Sequence, residues 1–325
     1  MFSRIKAYIK SMRLYYAFVT GIPGWLGVAF YEHIANDFDT GEIAPSMSRK
    51  FIILLLLFLS WGINQIINDY LGLKEDKLNA PSRPMVTGEL PVKWALSVSG
   101  ILIFLTGVIT YFWLEPIALI PLILGVLLNI IYEYAKGHGI MGNISFGLMI
   151  SMTPVFGFLA SGPIGEPYFT KSRVSVWLII VIINSLMTYF TYFKDYKGDK
   201  RSNKKTIIVA KGLRKARTIG LVASFIPYLL FAFIYMNDMI IARANKAFII
   251  LAVLSFFLHM WTALLYFKNP IGKKTYYSLI TNFRACICSQ AALIALFNVE
   301  LAFVLFISSY ILVGFIFNLH TNYKA

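Results

Sequence analysis

The chain has 325 residues, of which 58% are hydrophobic and only 14% are charged. A mean hydropathy of +0.69 argues against a water-soluble domain and is typical of a helical membrane protein with many spans. The formal net charge of +15 does not indicate nucleic-acid binding, because Lys and Arg of membrane proteins collect in loops on one side and meet anionic lipids there.

Ten apolar runs approach the length of about 20 residues that a helix needs to cross a bilayer. They show no alternating barrel pattern, so the backbone must satisfy its hydrogen bonds within helices. We therefore predict an all-α polytopic bundle of nine or ten transmembrane helices, forming one domain over residues 1–325. The runs are 14–32, 51–70, 94–113, 116–134, 142–161, 174–193, 218–236, 246–266 and 300–319, and the segment 276–297, whose start is amphipathic.

The first acidic segment runs from the end of the second span into a polar loop. Four of its residues recur every four positions and share one helical face: Asn64, Asn68, Gly72 and Asp76. Asp69 and Glu75 lie beside this face as candidate helpers. An Asp at the centre of a span costs about 2.5–3.5 kcal/mol, so such a cluster at a span end indicates a wet functional site.

A second acidic segment follows the sixth span, where Asp195 and Asp199 are four residues apart. A partly polar helical stripe leads into it through Asn184, Thr188 and Tyr192. Tyr192 either lines a cavity or packs between helices, and the Thr188 hydroxyl either faces the cavity or bonds its own backbone. Mg²⁺ prefers carboxylates together with phosphate oxygens, so we predict that four residues bind metal: Asn68, Asp76, Asp195 and Asp199.

Basic residues accompany both acidic segments. Arg83 lies in a loop bracketed by two prolines, Lys136 follows Tyr132 by four residues, and Lys200 follows the second segment. Carboxylates, metal and basic side chains together form a diphosphate site, in which Arg forks to phosphate and Lys adds a point charge. The alternative is that the carboxylates are solvated loop residues that balance neighbouring lysines.

The loops also predict the orientation of the bundle. The N-terminus and the loops 71–93, 135–141, 194–217 and 267–284 hold about 23 Lys and Arg, whereas the opposite loops hold about 6. This bias places the N-terminus and both acidic segments in the cytoplasm.

These motifs resemble those of the UbiA superfamily of intramembrane prenyltransferases. The first signature reads NDYLGLKED followed by NAPSRPMVTG, the second is formed by Asp195, Asp199 and the KKT at 204–206, and Tyr132 with Lys136 matches a third. The resemblance implies a helical fold around a central cavity that opens toward lipid. It also implies Mg²⁺-assisted loss of diphosphate from an isoprenoid diphosphate, such as geranyl, farnesyl or geranylgeranyl diphosphate.

One position departs from the superfamily pattern, because Gly72 stands where the first signature usually has an Asp. The pattern N-x-x-x-G-x-x-x-D resembles the terpene cyclase branch, so we predict that the allylic cation is attacked by the double bonds of its own chain. The alternative is prenyl transfer to an aromatic or quinone-precursor acceptor. A third hypothesis is a non-catalytic transporter, which would also accommodate acidic residues at span ends.

Overall fold

The computed structural model describes residues 2–37, 43–165 and 167–321, and these residues are almost entirely helical. The helices are α1 (Phe2–Met12), α2 (Phe18–Asp37), α3 (Met47–Leu71), α4 (Leu73–Asn79), α5 (Pro84–Thr87), α6 (Val92–Trp113), α7 (Leu119–Ala135), α8 (Met141–Ser161), α9 (Lys171–Arg201), α10 (Ile207–Ala223), α11 (Ile226–Met236), α12 (Lys246–Lys268), α13 (Thr275–Ile294) and α14 (Val299–Thr321). Two strands, β1 (His138–Gly139) and β2 (Lys205–Thr206), form a parallel pair.

The predicted all-α membrane fold is confirmed. In the described part of the chain, 8 helical segments are long and apolar enough to cross a membrane. They are α3, α6, α7 with the turn before it, α8, α9, α10 together with α11, α12 and α14. The two other predicted spans correspond to α2 and α13. α13 carries Thr, Ser, Asn and Gln along its length, and it tolerates them because it lies buried between α2, α9, α12 and α14.

Glycines bring α2 and α8 into backbone contact. A Cβ atom at Gly27 would lie 2.0 Å from the carbonyl oxygen of Pro154, and one at Gly157 would lie 2.2 Å from the carbonyl oxygen of Gly24. Helices in lipid gain little from hydrophobic association and rely on this kind of close approach for packing. The α2–α8 pair thus forms a tightly packed part of the bundle.

The polar segments meet at one end of the bundle. α9 continues to Arg201, so Asp195 and Asp199 both lie on its last turns. α3 ends at Leu71, and α4 and α5 fold the following segment back over this end. In the β1–β2 pair, His138 lies opposite Lys205 and Gly139 opposite Thr206. This pairing ties the loop after α7 to the segment that follows α9.

Candidate active site

Asp69 is the buried anchor of the first signature, with 1% of its surface exposed. Its carboxylate accepts hydrogen bonds from the guanidinium of Arg13, from the Gln65 amide at 3.0 Å and from Arg83 at 3.4 Å. Arg13 has a left-handed backbone conformation with φ 47°, which is uncommon outside glycine. The turn between α1 and α2 therefore places a cation against the signature.

Arg83 joins two of the three carboxylates of this segment, because it pairs with Asp76 as well as with Asp69. Asp76 is buried, and burial raises its pKa above the ordinary value although the Arg83 ion pair opposes this effect. The last glycine of the signature, Gly88, has φ 82° and ends α5, where a residue with a Cβ atom would be strained. This turn holds the Arg83 loop over α4.

Asp199 is the carboxylate of the second signature that lies deepest in the protein. It is fully buried, and neither of its carboxylate oxygens has a hydrogen-bond partner among the described residues. Asn68 shows the same feature, since its side-chain oxygen is buried without a partner. Buried carboxylates are normally paired or bound to a cation. These orphaned oxygens therefore fit a divalent metal ion.

Lys136 connects the third motif to the second signature. Its ammonium lies 5.7 Å from the centre of the Tyr192 ring, and it interacts electrostatically with Asp195 and Asp199. Burial lowers the pKa of Lys136, but the neighbouring Tyr132 and the two carboxylates outweigh this effect and raise it above the ordinary value. Lys136 therefore places a positive charge beside the acidic end of α9.

The two signatures are in direct contact. A Cβ atom at Gly198 would fall on the side-chain amide of Asn79, which shows that α4 and α9 touch at this point. The ammonium of Lys204 bridges the segments, since it lies 3.5 Å from Glu75 and donates a 2.5 Å hydrogen bond to Glu133. The segments that carry the two acidic clusters are therefore in contact, and a metal site shared by Asp76, Asp195 and Asp199 stays a prediction.

The carboxylates do not form a closed protein cage for a metal. Among the described residues, no three His, Cys, Asp or Glu side chains are grouped closely enough to hold an ion by themselves. Mg²⁺ sites that act on diphosphates typically use one or two carboxylates, and substrate oxygens and water complete the octahedron. The arrangement suits a metal that is held together with its substrate.

A cavity lies between α2, α3, α6, α7 and α8, and it reaches Asn68 of the first signature but is not lined by Asp76, Asp195 or Asp199. Its polar lining includes Asn64, Gln65 and Asn68, and its deeper walls include Leu56, Trp61 and Met149. Asn64 donates to the carbonyl of Ser60 at 3.0 Å and leaves its own side-chain oxygen buried without a partner. This lining suits an amphipathic ligand, because its polar part can contact a polar head group and its apolar part an apolar tail.

The remaining predicted site residues differ in whether their side chains are buried or exposed. Tyr132 packs against Phe146 with ring centres 5.2 Å apart, and Tyr192 is buried below Lys136. The Thr188 hydroxyl donates to the carbonyl of Asn184 at 3.1 Å, as span hydroxyls often do. Lys200 is exposed and lies 6.0 Å from the centre of the Tyr196 ring. Its charge therefore faces outward.

The sequence assigns no role to Glu133, and it includes Lys204 only within the KKT at 204–206. Glu133 directly follows Tyr132 at the end of a span, so the rule that acids at span ends mark functional sites would have identified it. Lys204 belongs to a run of basic residues, and nothing in the run distinguishes it from its neighbours. Only the packing of three segments reveals its position.

The sequence matches the UbiA prenyltransferase family over residues 40–287, which is more than half of the chain. The chain belongs to this family. It is therefore an integral multi-pass membrane protein and an enzyme of the UbiA superfamily, and the predicted resemblance is confirmed.

Curated relatives share a more specific name. The digeranylgeranylglyceryl phosphate synthase of Sulfurisphaera tokodaii is 29% identical over 242 residues, which cover 69% of this chain and 79% of the relative. The synthase of the same name from Pyrococcus abyssi is 26% identical over 232 residues, covering 69% of this chain and 78% of the relative.

Solved structures share the fold. A UbiA homologue from Archaeoglobus fulgidus bound to GPP and Mg²⁺ has a TM-score of 0.63 at 16% identity, with coverage of 92% of this chain and 99% of the homologue. A structure of digeranylgeranylglyceryl phosphate synthase has a TM-score of 0.62 at 20% identity, with coverage of 91% and 98%. At this level of identity the similarity shows the fold alone.

These relatives overturn the predicted cyclisation. The terpene cyclase prediction is wrong, because the relatives are named as synthases of a prenylated glyceryl phosphate, which fits the alternative of prenyl transfer. The error has a physical origin. The prediction rested on one missing carboxylate at Gly72, and a linear motif does not show which other side chains reach that point in space.

Proposed function

We propose that this protein transfers a prenyl group from an isoprenoid diphosphate to a glyceryl phosphate that already carries one prenyl chain. The observation that carries the proposal is the contact between the two acidic segments, beside Asn68 and Asp199, whose side-chain oxygens are buried without a partner among the described residues. The name of the relatives supports the acceptor class, since a digeranylgeranylglyceryl phosphate carries two such chains. It favours geranylgeranyl diphosphate among the predicted donors.

The residues at this polar end have two roles, metal binding and diphosphate binding. Asn68, Asp76, Asp195 and Asp199 hold divalent metal, with Mg²⁺ favoured because all of them offer hard oxygen ligands. Arg83, Lys136 and Tyr132 hold the diphosphate. The bound metal supplies Lewis-acid stabilisation of the leaving diphosphate. The helpers Asp69 and Glu75 lie at the edge of this group, whereas Lys200, predicted to bind diphosphate, is exposed and faces outward, so we leave it out.

The protein side chains bind the phosphate oxygens, stabilise the leaving group and exclude water. Arg83 can turn its donors from Asp76 toward phosphate oxygens, because a guanidinium forks to either anion. Lys136 contributes a fixed positive charge where negative charge develops on the leaving group. The apolar walls around Leu56 and Trp61 exclude water from the allylic cation, and rings near it add cation–π attraction of about 0.5–2 kcal/mol.

The acceptor requirement tests this proposal. Purified protein in lipid nanodiscs is given Mg²⁺ and geranylgeranyl diphosphate, with or without geranylgeranylglyceryl phosphate, and products are followed by mass spectrometry. We expect the doubly prenylated glyceryl phosphate and stoichiometric diphosphate release only when the acceptor is present. Equal diphosphate release without acceptor, or transfer only to an aromatic acceptor, would contradict the proposal.

A further inference from the structure

The first signature has glycine at the position where the superfamily usually has an aspartate, so its helical face carries one carboxylate fewer. Gly72 is buried at the junction of α3 and α4. Its surroundings decide whether the site works without that group or takes a carboxylate from elsewhere in the fold.

Glu133 lies against this position. A Cβ atom built on Gly72 would be 3.5 Å from Oε1 of Glu133 and 3.8 Å from its carboxylate carbon. An aspartate at 72 would extend its own carboxylate one bond beyond that Cβ atom. The Glu133 carboxylate, which comes from the end of α7, therefore lies beside the volume that the missing aspartate would enter.

The two helper acids of the first signature, Asp69 and Glu75, have other contacts. Asp69 accepts hydrogen bonds from Arg13, Gln65 and Arg83, so its buried charge is used in holding the fold. Glu75 lies on α4, and its oxygen is 3.5 Å from the ammonium of Lys204. Neither is the acid found against Gly72.

The second signature supplies an independent sign of a ligand at this place. Asp199 is fully buried with two unpartnered oxygens, and it interacts electrostatically with Glu133 and Lys204. Lys204 donates its short hydrogen bond to Oε1 of Glu133 and holds that side chain in place. A carboxylate offers about four acceptor sites, so one bond from Lys204 leaves capacity for a metal.

We propose that Glu133 supplies, from α7, the metal-binding carboxylate that the first signature lacks at Gly72, and that Lys204 positions it. The proposal rests on the proposed function, because the metal is held together with a prenyl diphosphate. Glycine at 72 then has a steric and electrostatic role, since it leaves room for an acid from another helix and avoids placing two like charges side by side.

Metal binding tests the proposal without turnover. Mn²⁺ is titrated into full-length protein in nanodiscs with geranylgeranyl thiolodiphosphate, an analogue that does not ionise, and free Mn²⁺ is read by electron paramagnetic resonance. We expect Glu133→Gln to weaken Mn²⁺ binding by at least about tenfold, and the double variant G72D/E133Q to restore most of that loss. Glu115→Gln is the matched control, because Glu115 also pairs with a cation, Arg49, but at the opposite end of the bundle.

The outcomes separate the two proposals. Wild-type affinity in Glu133→Gln would overturn the role of Glu133 while leaving the proposed function intact. Failure of G72D/E133Q to recover affinity, when its thermal melting matches that of Glu133→Gln, would show that Glu133 only tethers Lys204. If the analogue does not promote Mn²⁺ binding to the wild type, the proposed function and this inference both fail.

Discussion

At the scale of single residues, the site keeps charged groups in positions that do not favour folding. Asp199 is the clearest case, because it is fully buried and its two carboxylate oxygens accept no hydrogen bond from the described residues. A buried charge without a partner normally costs stability, so such a residue persists because a ligand needs it. This separates its effect on stability from its effect on activity.

We expect Asp199→Asn to lower turnover by at least about a hundredfold, since it removes charge from the group that holds the metal. The melting temperature should stay equal or rise, because the substitution removes a buried charge whose oxygens accept no hydrogen bond, and it keeps the shape of the side chain. Diphosphate release and thermal unfolding in the same detergent measure the two effects. A lower melting temperature would mean that Asp199 is structural.

Arg83 tests the geometry of the cation site. Lysine keeps the charge but cannot fork between Asp69, Asp76 and phosphate. We expect Arg83→Lys to raise the KM for the prenyl diphosphate about tenfold, the equivalent of one charged hydrogen bond of about 1.5 kcal/mol. Arg49→Lys, at the Glu115 pair on the opposite end, should leave KM unchanged. Similar KM changes in both variants would contradict the assignment.

At the scale of elements, close helix crossings hold the cavity walls in place. α2 and α8 both line the cavity, and their backbones touch at Gly27 and Gly157. The site itself is built from the ends of α3, α7 and α9 with the short α4 between them. The ends of the spans therefore position the polar groups of the site.

Gly27→Val should destabilise the bundle by about 1–3 kcal/mol, since its side chain would collide with the backbone of Pro154 rather than with a movable side chain. Gly100→Ala on the exposed surface of α6 is the control, because a Cβ atom there meets nothing within 4 Å. Its melting temperature should be unchanged or slightly higher. Thermal unfolding in lipid nanodiscs measures both, and equal behaviour of the two variants would rule out the close crossing.

At the scale of the whole molecule, the basic loops gather at the end that carries the site. Arg13 reaches Asp69, Lys204 reaches Glu133, and Arg217 donates to the carbonyl of Phe267 at 3.3 Å. Loops that are far apart in sequence therefore share one face of the bundle. We propose that this face is cytoplasmic, following the charge bias of membrane proteins.

Labelling in intact cells tests this orientation. The two native cysteines, Cys286 and Cys288, are buried and give little background. Lys77→Cys, beside the first signature, should react with a membrane-impermeant maleimide only after the cells are opened. Lys171→Cys, exposed at the start of α9, should react in intact cells. The reverse pattern would place the site outside the cell.

The sequence by itself determined the membrane class, the helices and the two signatures. In lipid a backbone must bond within its own helix, so apolar runs are sufficient to locate the spans. Spacing along a helix likewise placed Asp195 and Asp199 together on α9. Tertiary structure alone decided that Glu133 lies beside Gly72 and that Lys204 bridges α4 and α7, whereas Lys200 faces outward. Such contacts depend on how separate helices pack, and linear spacing carries information only about neighbours on the same helix.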